Sequence, residues 1–189
     1  MRGLNGWAGG MVLLISMLLP WHRAVGDERI GMVLGQAMLA IEGMGADPRV
    51  GLDGLERAAA AGDGLAALNL AVAYQTGVGI PRDSRRAFHW LQNITTGASV
   101  ARLTPELVAW VRLKTGLAYL GGDGVEVDRR QARRWLLKAA VLESAYAEYM
   151  LGRMDEEGTD RVAARNWYRR SAARGFVPAQ EALKRLDGL

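Results

Sequence analysis

Two stretches decide the fold: Leu70-Ala-Val-Ala-Tyr74 with Gly77-Val-Gly79, Asp83, Ala87 and Trp90, and Thr115-Gly-Leu-Ala-Tyr119 with Gly122-Asp-Gly124, Asp128, Ala132 and Trp135. In both, the second glycine follows the tyrosine by 5 residues, the aspartate by 9, the alanine by 13 and the tryptophan by 16. Agreement at fixed spacing over such a length indicates an internal repeat. The rest of the chain can therefore be aligned to these two copies.

Two weaker copies flank them. At an offset of 36 residues before the first stretch, Leu34-Gly35 and Met38 take the places of Leu70-Ala71 and Tyr74. The last copy begins at Ala147 and has Asp155 where the tyrosine belongs. The offset between the two strong copies is 45 residues, which places nine added residues near 95–103. After Gly175 the chain contains half of a further unit, as expected for a helix that closes a stacked array.

Each unit has the pattern of a helical hairpin. Apolar residues recur at i, i+3, i+4 and i+7 in its second half, as in Ala87, Trp90, Leu91 and Ile94. An aspartate precedes this helix and is a favourable N-cap, while the glycine pair suits the turn between the two helices. No segment alternates convincingly as a strand does, so the chain is predicted to be all-α.

These motifs resemble the Sel-one-like repeat, a relative of the tetratricopeptide repeat, over about residues 30 to 185. The resemblance implies a right-handed α/α superhelix, or solenoid, of about four helix-turn-helix repeats and a C-terminal capping helix. The expected repeats cover about 30–63, 64–98, 106–142 and 143–175, and the capping helix 176–187. Such proteins serve as adaptors for protein complexes, often in the bacterial envelope.

The N-terminus has the features of a secretory signal. Met1-Arg2 is followed by an apolar run from Ala8 to Leu19 and by small residues at Ala24-Val25-Gly26. Twelve helical residues span about 18 Å, which is short against about 30 Å of hydrocarbon. We predict a signal peptide at 1–26 and a periplasmic or secreted protein; the alternative is an uncleaved helix that tethers the chain to the inner membrane. The chain has no cysteine, which excludes lipoprotein processing and disulfides.

Composition argues against most catalytic classes. The net charge of +4 falls to +2 without the arginines at 2 and 23, so no nucleic acid partner is expected. His89 is the one histidine after the leader, and it aligns with polar residues on a solvated helix face. No enzyme activity, cofactor or metal is therefore expected. The alternative, an envelope enzyme acting on polysaccharide or peptidoglycan, requires a pocket with two buried carboxylates.

Charged clusters have simpler interpretations. The acidic run at 155–157 is expected in an exposed loop instead of a calcium site. Arginines lie along the outer faces of the second helices of two repeats. We expect these side chains to be solvated; the alternative is that they bind an acidic polymer or a membrane surface. They are Arg129, Arg130, Arg133, Arg134, Arg161, Arg165, Arg169, Arg170 and Arg174.

A second apolar stripe lies on the first helices, opposite the hairpin core. By analogy with tetratricopeptide repeats it lines the concave surface and forms a groove for a protein partner, such as an envelope protein or peptide segment. The alternative is that these side chains pack against one another or the terminal helix. We predict a non-enzymatic scaffold, with a regulator of an envelope sensor or a component of an envelope or motor complex as alternatives. The candidate groove residues are Leu65, Leu68, Val72, Trp110, Leu113, Leu117, Leu120, Tyr146 and Tyr149.

Overall fold

A computed structural model describes residues 48–77, 80–97, 100–101 and 103–188. This part of the chain contains eight α-helices and no strand. They are α1 Pro48–Ala60, α2 Gly64–Thr76, α3 Ser84–Thr96, α4 Pro105–Gly121, α5 Arg129–Ala140, α6 Ala145–Glu157, α7 Arg161–Ala173 and α8 Val177–Asp187. None of them is both long and apolar enough to cross a bilayer. The predicted signal segment and the first helix of the first predicted repeat lie outside the described residues.

The helices stack as consecutive antiparallel hairpins. Each of α2, α4 and α6, which we call the A helices, packs on the helix that follows it in the chain, and α8 packs on α7. Successive hairpins contact through α3 with α4 and α5 with α6. Every strong contact therefore joins neighbours in sequence, which is how a solenoid buries its core. The prediction of an all-α repeat fold is confirmed.

Local chemistry sets the helix ends as the sequence predicts. Asp83 accepts a hydrogen bond from the backbone N–H of Arg86 at 3.0 Å, and Asp128 accepts from that of Gln131 at 3.0 Å. Thr104 is the N-cap of α4, with Pro105 in its first turn. Gly122 ends α4 at a φ of 76°, where a side chain would be strained.

Glycines also permit close packing between neighbouring elements. A Cβ at Gly124 would overlap the carbonyl oxygen of Ser84, so the turn of one repeat rests against the start of α3 in the repeat before it. A Cβ at Gly152 would lie 2.6 Å from the buried ring of Tyr168. Gly152 is therefore required by its contact alone, whereas Gly124, at a φ of 80°, is also required by turn geometry.

The nine added residues between the strong copies divide between two structural changes. Gly64, the first residue of α2, aligns with Ala109, yet α4 begins at Pro105. Four of the added residues therefore lengthen α4, which has 17 residues where α2 and α6 have 13. The remainder belong to the connection from α3.

Candidate interaction surface

The A helices present a common surface on the side turned away from their hairpin partners. In α4, Gly116 faces α5, because a Cβ on it would lie 3.0 Å from Leu136. At 100° per residue, Trp110, Lys114 and Leu117 point between about 100° and 160° away from Gly116. We call the broader surface of α2, α4 and α6 that carries the predicted groove residues the A-face. Leu113 and Leu120 lie at its border with α5, within about 60° of Gly116.

Four of the nine predicted groove residues are buried within the described chain. Leu68 is 1% exposed, Val72 3%, Trp110 7% and Leu113 2%. The first three belong to the core around α2, and Leu113 belongs to the core between α4 and α6. A partner cannot reach these side chains without displacing their neighbours. For these four positions the structure has the self-packed arrangement that the sequence left as an alternative.

The other five remain accessible. Leu65 is 51% exposed at the start of α2. Leu117, Leu120, Tyr146 and Tyr149 are half-buried, with one side packed on the core between α4 and α6. The accessible stripe is therefore concentrated on α4 and α6, with one separate member on α2.

The tyrosines of α6 form part of an aromatic cluster. The rings of Tyr146 and Tyr149 are stacked with centroids 6.3 Å apart, and Phe176 lies 5.6 Å and 5.2 Å from them. Tyr168 approaches Tyr149 from α7 at 5.7 Å. Burial, and then the proximity of Tyr149, raises the pKa of Tyr146. Rings held by several neighbours provide a rigid apolar surface with hydroxyl groups at its edge.

Lys114 lies among the apolar residues of the A-face. Its ammonium nitrogen is 5.6 Å from the ring centroid of Trp110, within cation–π distance. The side chain is half-buried, and burial lowers its pKa, although the charge of Asp123 acts in the opposite direction. Sequence reasoning did not single out this residue; its signal is a charge at an otherwise apolar helical spacing.

Six of the nine arginines of these faces pair within the protein, and the ion-paired side chains keep between 31% and 54% of their surface exposed. Three of these nine arginines have neither an ion pair nor a side-chain hydrogen bond within the described segments; they are Arg130, Arg134 and Arg169. The ion pairs are Arg129–Glu157 at 2.7 Å, Arg133–Asp155 at 2.5 Å, Arg165–Asp187 at 2.6 Å, Arg170–Glu148 at 3.0 Å, Arg174–Glu148 at 3.1 Å and Arg174–Glu143 at 3.1 Å. Arg161 donates to the carbonyl oxygen of Leu186 at 3.3 Å.

The acidic run at 155–157 was predicted to lie in an exposed loop, but it lies in a helix. Residues 155–157 lie in the last turn of α6, and all three carboxylates accept from arginines of neighbouring helices. Asp155 is only 8% exposed. The prediction was wrong because the partners, Arg129, Arg133 and Arg185, come from helices distant in sequence.

Glu148 is a buried carboxylate that sequence reasoning missed. It has no exposed area, and it accepts from Arg170 at 3.0 Å and from Arg174 at 3.1 Å. Two arginines compensate the cost of burying one carboxylate. The available signal was an acidic residue on α6 and two arginines one turn apart at the end of α7, the second of them its C-cap.

The other titratable residues do not assemble into a site. Among residues 48–188, with the gaps given above, no three His, Asp or Glu side chains are grouped closely enough to hold a metal ion. His89 is exposed, and its ring lies edge-on to Trp90 at 5.2 Å between centroids.

Comparison with known proteins gives a consistent family assignment. The Sel1 repeat model matches residues 64–93, 113–141 and 145–176. No curated protein sequence matches significantly.

Two crystal structures resemble the chain. A Sel1 repeat protein from Oxalobacter formigenes aligns with a TM-score of 0.62 at 24% identity, over 81% of this chain and 61% of that one. A protective antigen present in uropathogenic Escherichia coli strains, displaying an SLR fold, aligns with a TM-score of 0.65 at 26% identity, over 82% of this chain and 32% of that one. The chain thus spans less than two thirds of either protein. It belongs to the Sel1 repeat family.

Proposed function

We propose that this chain is a non-enzymatic scaffold of the bacterial periplasm that binds a segment of a partner protein on its A-face. Sel1 repeat proteins are typically protein-interaction scaffolds. The observation that carries the proposal is the accessible stripe on α4 and α6. There Leu117, Leu120, Tyr146 and Tyr149 keep part of their apolar surface in solvent although neighbouring residues bury theirs.

The rigidity of this stripe supports a binding role. Tyr146 and Tyr149 are held by each other and by Phe176, so little side-chain freedom is lost when a partner covers them. Amphipathic aromatic side chains also contribute strongly to protein interfaces. By analogy with related repeats, the A-face is the concave side of the solenoid, where a helix or an extended segment fits.

The leader supports export. Its short apolar run and small residues before position 27 suit cleavage by a signal peptidase. A mature chain that begins at Asp27 would place the A-face in the envelope. Mass spectrometry of the N-terminus from a periplasmic fraction tests this step, and an intact Met1 in a membrane fraction would contradict it.

The buried carboxylates give no support to an envelope enzyme. Glu148 and Asp155 are both bound by arginines of a packed neighbouring helix. A carboxylate held in this way is a structural ion-pair partner instead of an available acid or base. Within the scaffold class, a partner in an envelope or motor complex and a regulated envelope sensor are both compatible with the A-face.

Site-specific photocrosslinking in intact cells tests the A-face. A photoreactive residue at position 117 should capture a discrete partner, because Leu117 lies centrally in the accessible stripe. The matched control is position 162, where Val162 is 75% exposed on α7, outside the A-face. Capture at both positions, or at neither, would contradict the proposal.

A second variant shows whether capture depends on apolar contact. Tyr149→Ser removes a half-buried ring, while Val162→Ser removes an exposed side chain of no assigned role. Tyr149→Ser should abolish capture from position 117 and Val162→Ser should not. Circular dichroism confirms that both variants remain helical.

A further inference from the structure

We propose that one side of α5 binds the surface of a membrane that contains anionic lipids. This side, which we call the α5 outer face, consists of five exposed residues: Arg130, Arg134, Leu137, Lys138 and Val141. The proposal does not rest on the proposed function, because the α5 outer face and the A-face are different surfaces.

The α5 outer face is one continuous stripe. At 100° per residue its five members lie within an arc of about 100°, and the middle of this arc is about 180° from the direction of Ala132, Leu136 and Ala139. These three side chains have no exposed area, and Leu136 is the one that Gly116 of α4 faces. The stripe therefore points away from the helices on which α5 packs.

The charge of this stripe is positive. Helix α5 contains four arginines, one lysine and no Asp or Glu. Two of the arginines pair with acids at the end of α6. The other two, Arg130 and Arg134, have neither an ion pair nor a side-chain hydrogen bond among the described residues. The ammonium nitrogen of Lys138 lies 4.0 Å from the ring centroid of Trp135, so it keeps its charge without an acid beside it.

Acids near the ends of α5 do not neutralise the stripe. Asp128 caps the helix and accepts from the backbone N–H of Arg130 at 2.9 Å. Glu143 pairs with Arg174 at 3.1 Å. Glu126 is exposed in the turn before α5 and has no ion pair among the described residues. Three cations of the α5 outer face therefore lie beside one unpaired acid, and the surface attracts anions.

Two exposed apolar side chains favour a lipid surface over a soluble polyanion. Val141 is 78% exposed and Leu137 is 37% exposed, one turn apart at the C-terminal end of the stripe. An acidic polymer would pair with the cations and leave both apolar side chains in water. A bilayer has phosphate groups directly above its acyl chains, so it binds the cations and also accepts the leucine and valine.

Binding through α5 leaves the A-face accessible. Helix α4 packs on the buried side of α5, and the A-face is turned away from the hairpin partners of the A helices. The two surfaces therefore lie on different sides of the hairpin and can be occupied together. A chain held on a membrane in this way would present its A-face to the aqueous side.

Cosedimentation with vesicles tests the proposal. The probes are vesicles of equimolar phosphatidylcholine and phosphatidylglycerol, and vesicles of phosphatidylcholine alone. The protein is the chain from residue 27, which contains every described helix and lacks the apolar leader. It should bind the anionic vesicles and not the neutral ones, and binding should weaken as salt rises because ions screen the surface charge. Equal binding to both kinds of vesicle, or binding to neither, overturns the proposal.

Substitutions locate the contact on α5. Arg130→Gln combined with Arg134→Gln should weaken binding to anionic vesicles about 30-fold, since each cation near an anionic membrane contributes about fivefold. Leu137→Ser combined with Val141→Ser should weaken it about tenfold. The matched control is Arg129→Gln, an arginine of the same helix that already has an ion pair, and its effect should be less than about twofold. An equal loss in Arg129→Gln and in the double arginine variant overturns the proposal.

Poly-glutamate separates a membrane from a soluble acidic partner, because it supplies carboxylates without acyl chains. It should bind the unmodified chain more weakly than anionic vesicles do, and Leu137→Ser with Val141→Ser should not change its binding. Tighter binding to poly-glutamate than to the vesicles overturns the proposal in favour of a soluble acidic partner.

A fluorescent label tests which surface meets the bilayer. The chain has no cysteine, so Val141→Cys and Leu65→Cys each provide one attachment point for a dye whose emission depends on polarity. On anionic vesicles the emission should move to shorter wavelength at position 141. It should not change at position 65, which is 51% exposed on the A-face. A shift at position 65, or none at position 141, overturns the proposal.

Discussion

The junction between α3 and α4 and the junction between α5 and α6 use the same positions of the repeat for different chemistry. At the first, the rings of Phe88 and Tyr119 meet edge to face with centroids 5.2 Å apart. At the second, the equivalent residues are Arg133 and Asp155, whose side chains form an ion pair at 2.5 Å. We call these the aromatic junction and the ionic junction.

The difference teaches that the fold fixes a position between repeats but not the residue types that fill it. The ionic solution recurs where α8 packs on α7, at the equivalent pair Arg165 and Asp187. Both partners change together, because a carboxylate against a phenyl ring would be buried without a hydrogen bond. An aromatic residue of one junction placed against a charged residue of the other would therefore be a mismatched pair.

Phe88→Ala should have the largest effect, because it removes most of the aromatic junction. Phe88 is 6% exposed, and truncation of a buried phenylalanine costs about 3 kcal/mol or more. The free energy of unfolding, measured by urea denaturation, should fall by that amount equally at low and high salt. A loss below about 1 kcal/mol would mean that this contact adds little to the junction.

Arg133→Ala should have a smaller but clear effect at the ionic junction. It leaves the carboxylate of Asp155, whose side chain is 10% exposed, without its guanidinium partner, at a cost of about 2 kcal/mol. The matched control is Arg129→Ala on the same helix. Its partner Glu157 is half exposed, so we expect a loss of about 0.5 kcal/mol or less. Equal losses would contradict the distinction between buried and exposed pairs.

Transplanting the aromatic pair tests whether the junctions are interchangeable. Arg133→Phe and Asp155→Tyr should each destabilise alone, since each leaves a mismatched partner. Together they should recover part of the loss, with a coupling free energy of about 1.5 kcal/mol in a double-mutant cycle. Strictly additive losses would mean that backbone geometry, and not only side-chain chemistry, differs between the two junctions.

Features with local causes could be predicted from the sequence. Asp83 and Asp128 cap their helices, and Gly122 ends α4, because these roles depend on residues within one or two turns. The ionic junction could not be recognised in this way. Arg133 and Asp155 are 22 residues apart and meet only after two helices have packed.

The candidate site was predicted less completely for a different reason. An apolar side chain at the A-face spacing is equally suited to a groove and to a core, so the pattern cannot separate Leu113, which is buried, from Leu117, which is accessible. Their environments depend on how closely α2 and α6 approach α4. Lys114 would have been found by searching this helix surface for a charged residue.

The smallest effect that we expect is an acid sensitivity at Glu156, whose carboxylate pairs with Arg185. The hydrogen bond from the Tyr168 hydroxyl, at 2.7 Å, and then the contact with Arg185 lower the pKa of Glu156 below its ordinary 4.5. A carboxylate with a lowered pKa in the folded state stabilises the protein above pH 4.5, and that contribution is lost as the pH falls through the folded-state pKa. Between about pH 6 and pH 3, the free energy of unfolding of the unmodified chain should fall by about 1 kcal/mol more than that of Glu156→Gln does.

Glu181→Gln is the matched control, since Glu181 is exposed on α8 and forms no ion pair among the described residues. Hydrogen exchange should place the acid-sensitive opening in α7 and α8 and leave α3 and α4 unchanged, because the aromatic junction contains no group that titrates in this range. Equal acid sensitivity in α7 and α8 and in α3 and α4 would mean that opening is cooperative across the whole array and that local contacts do not set local stability.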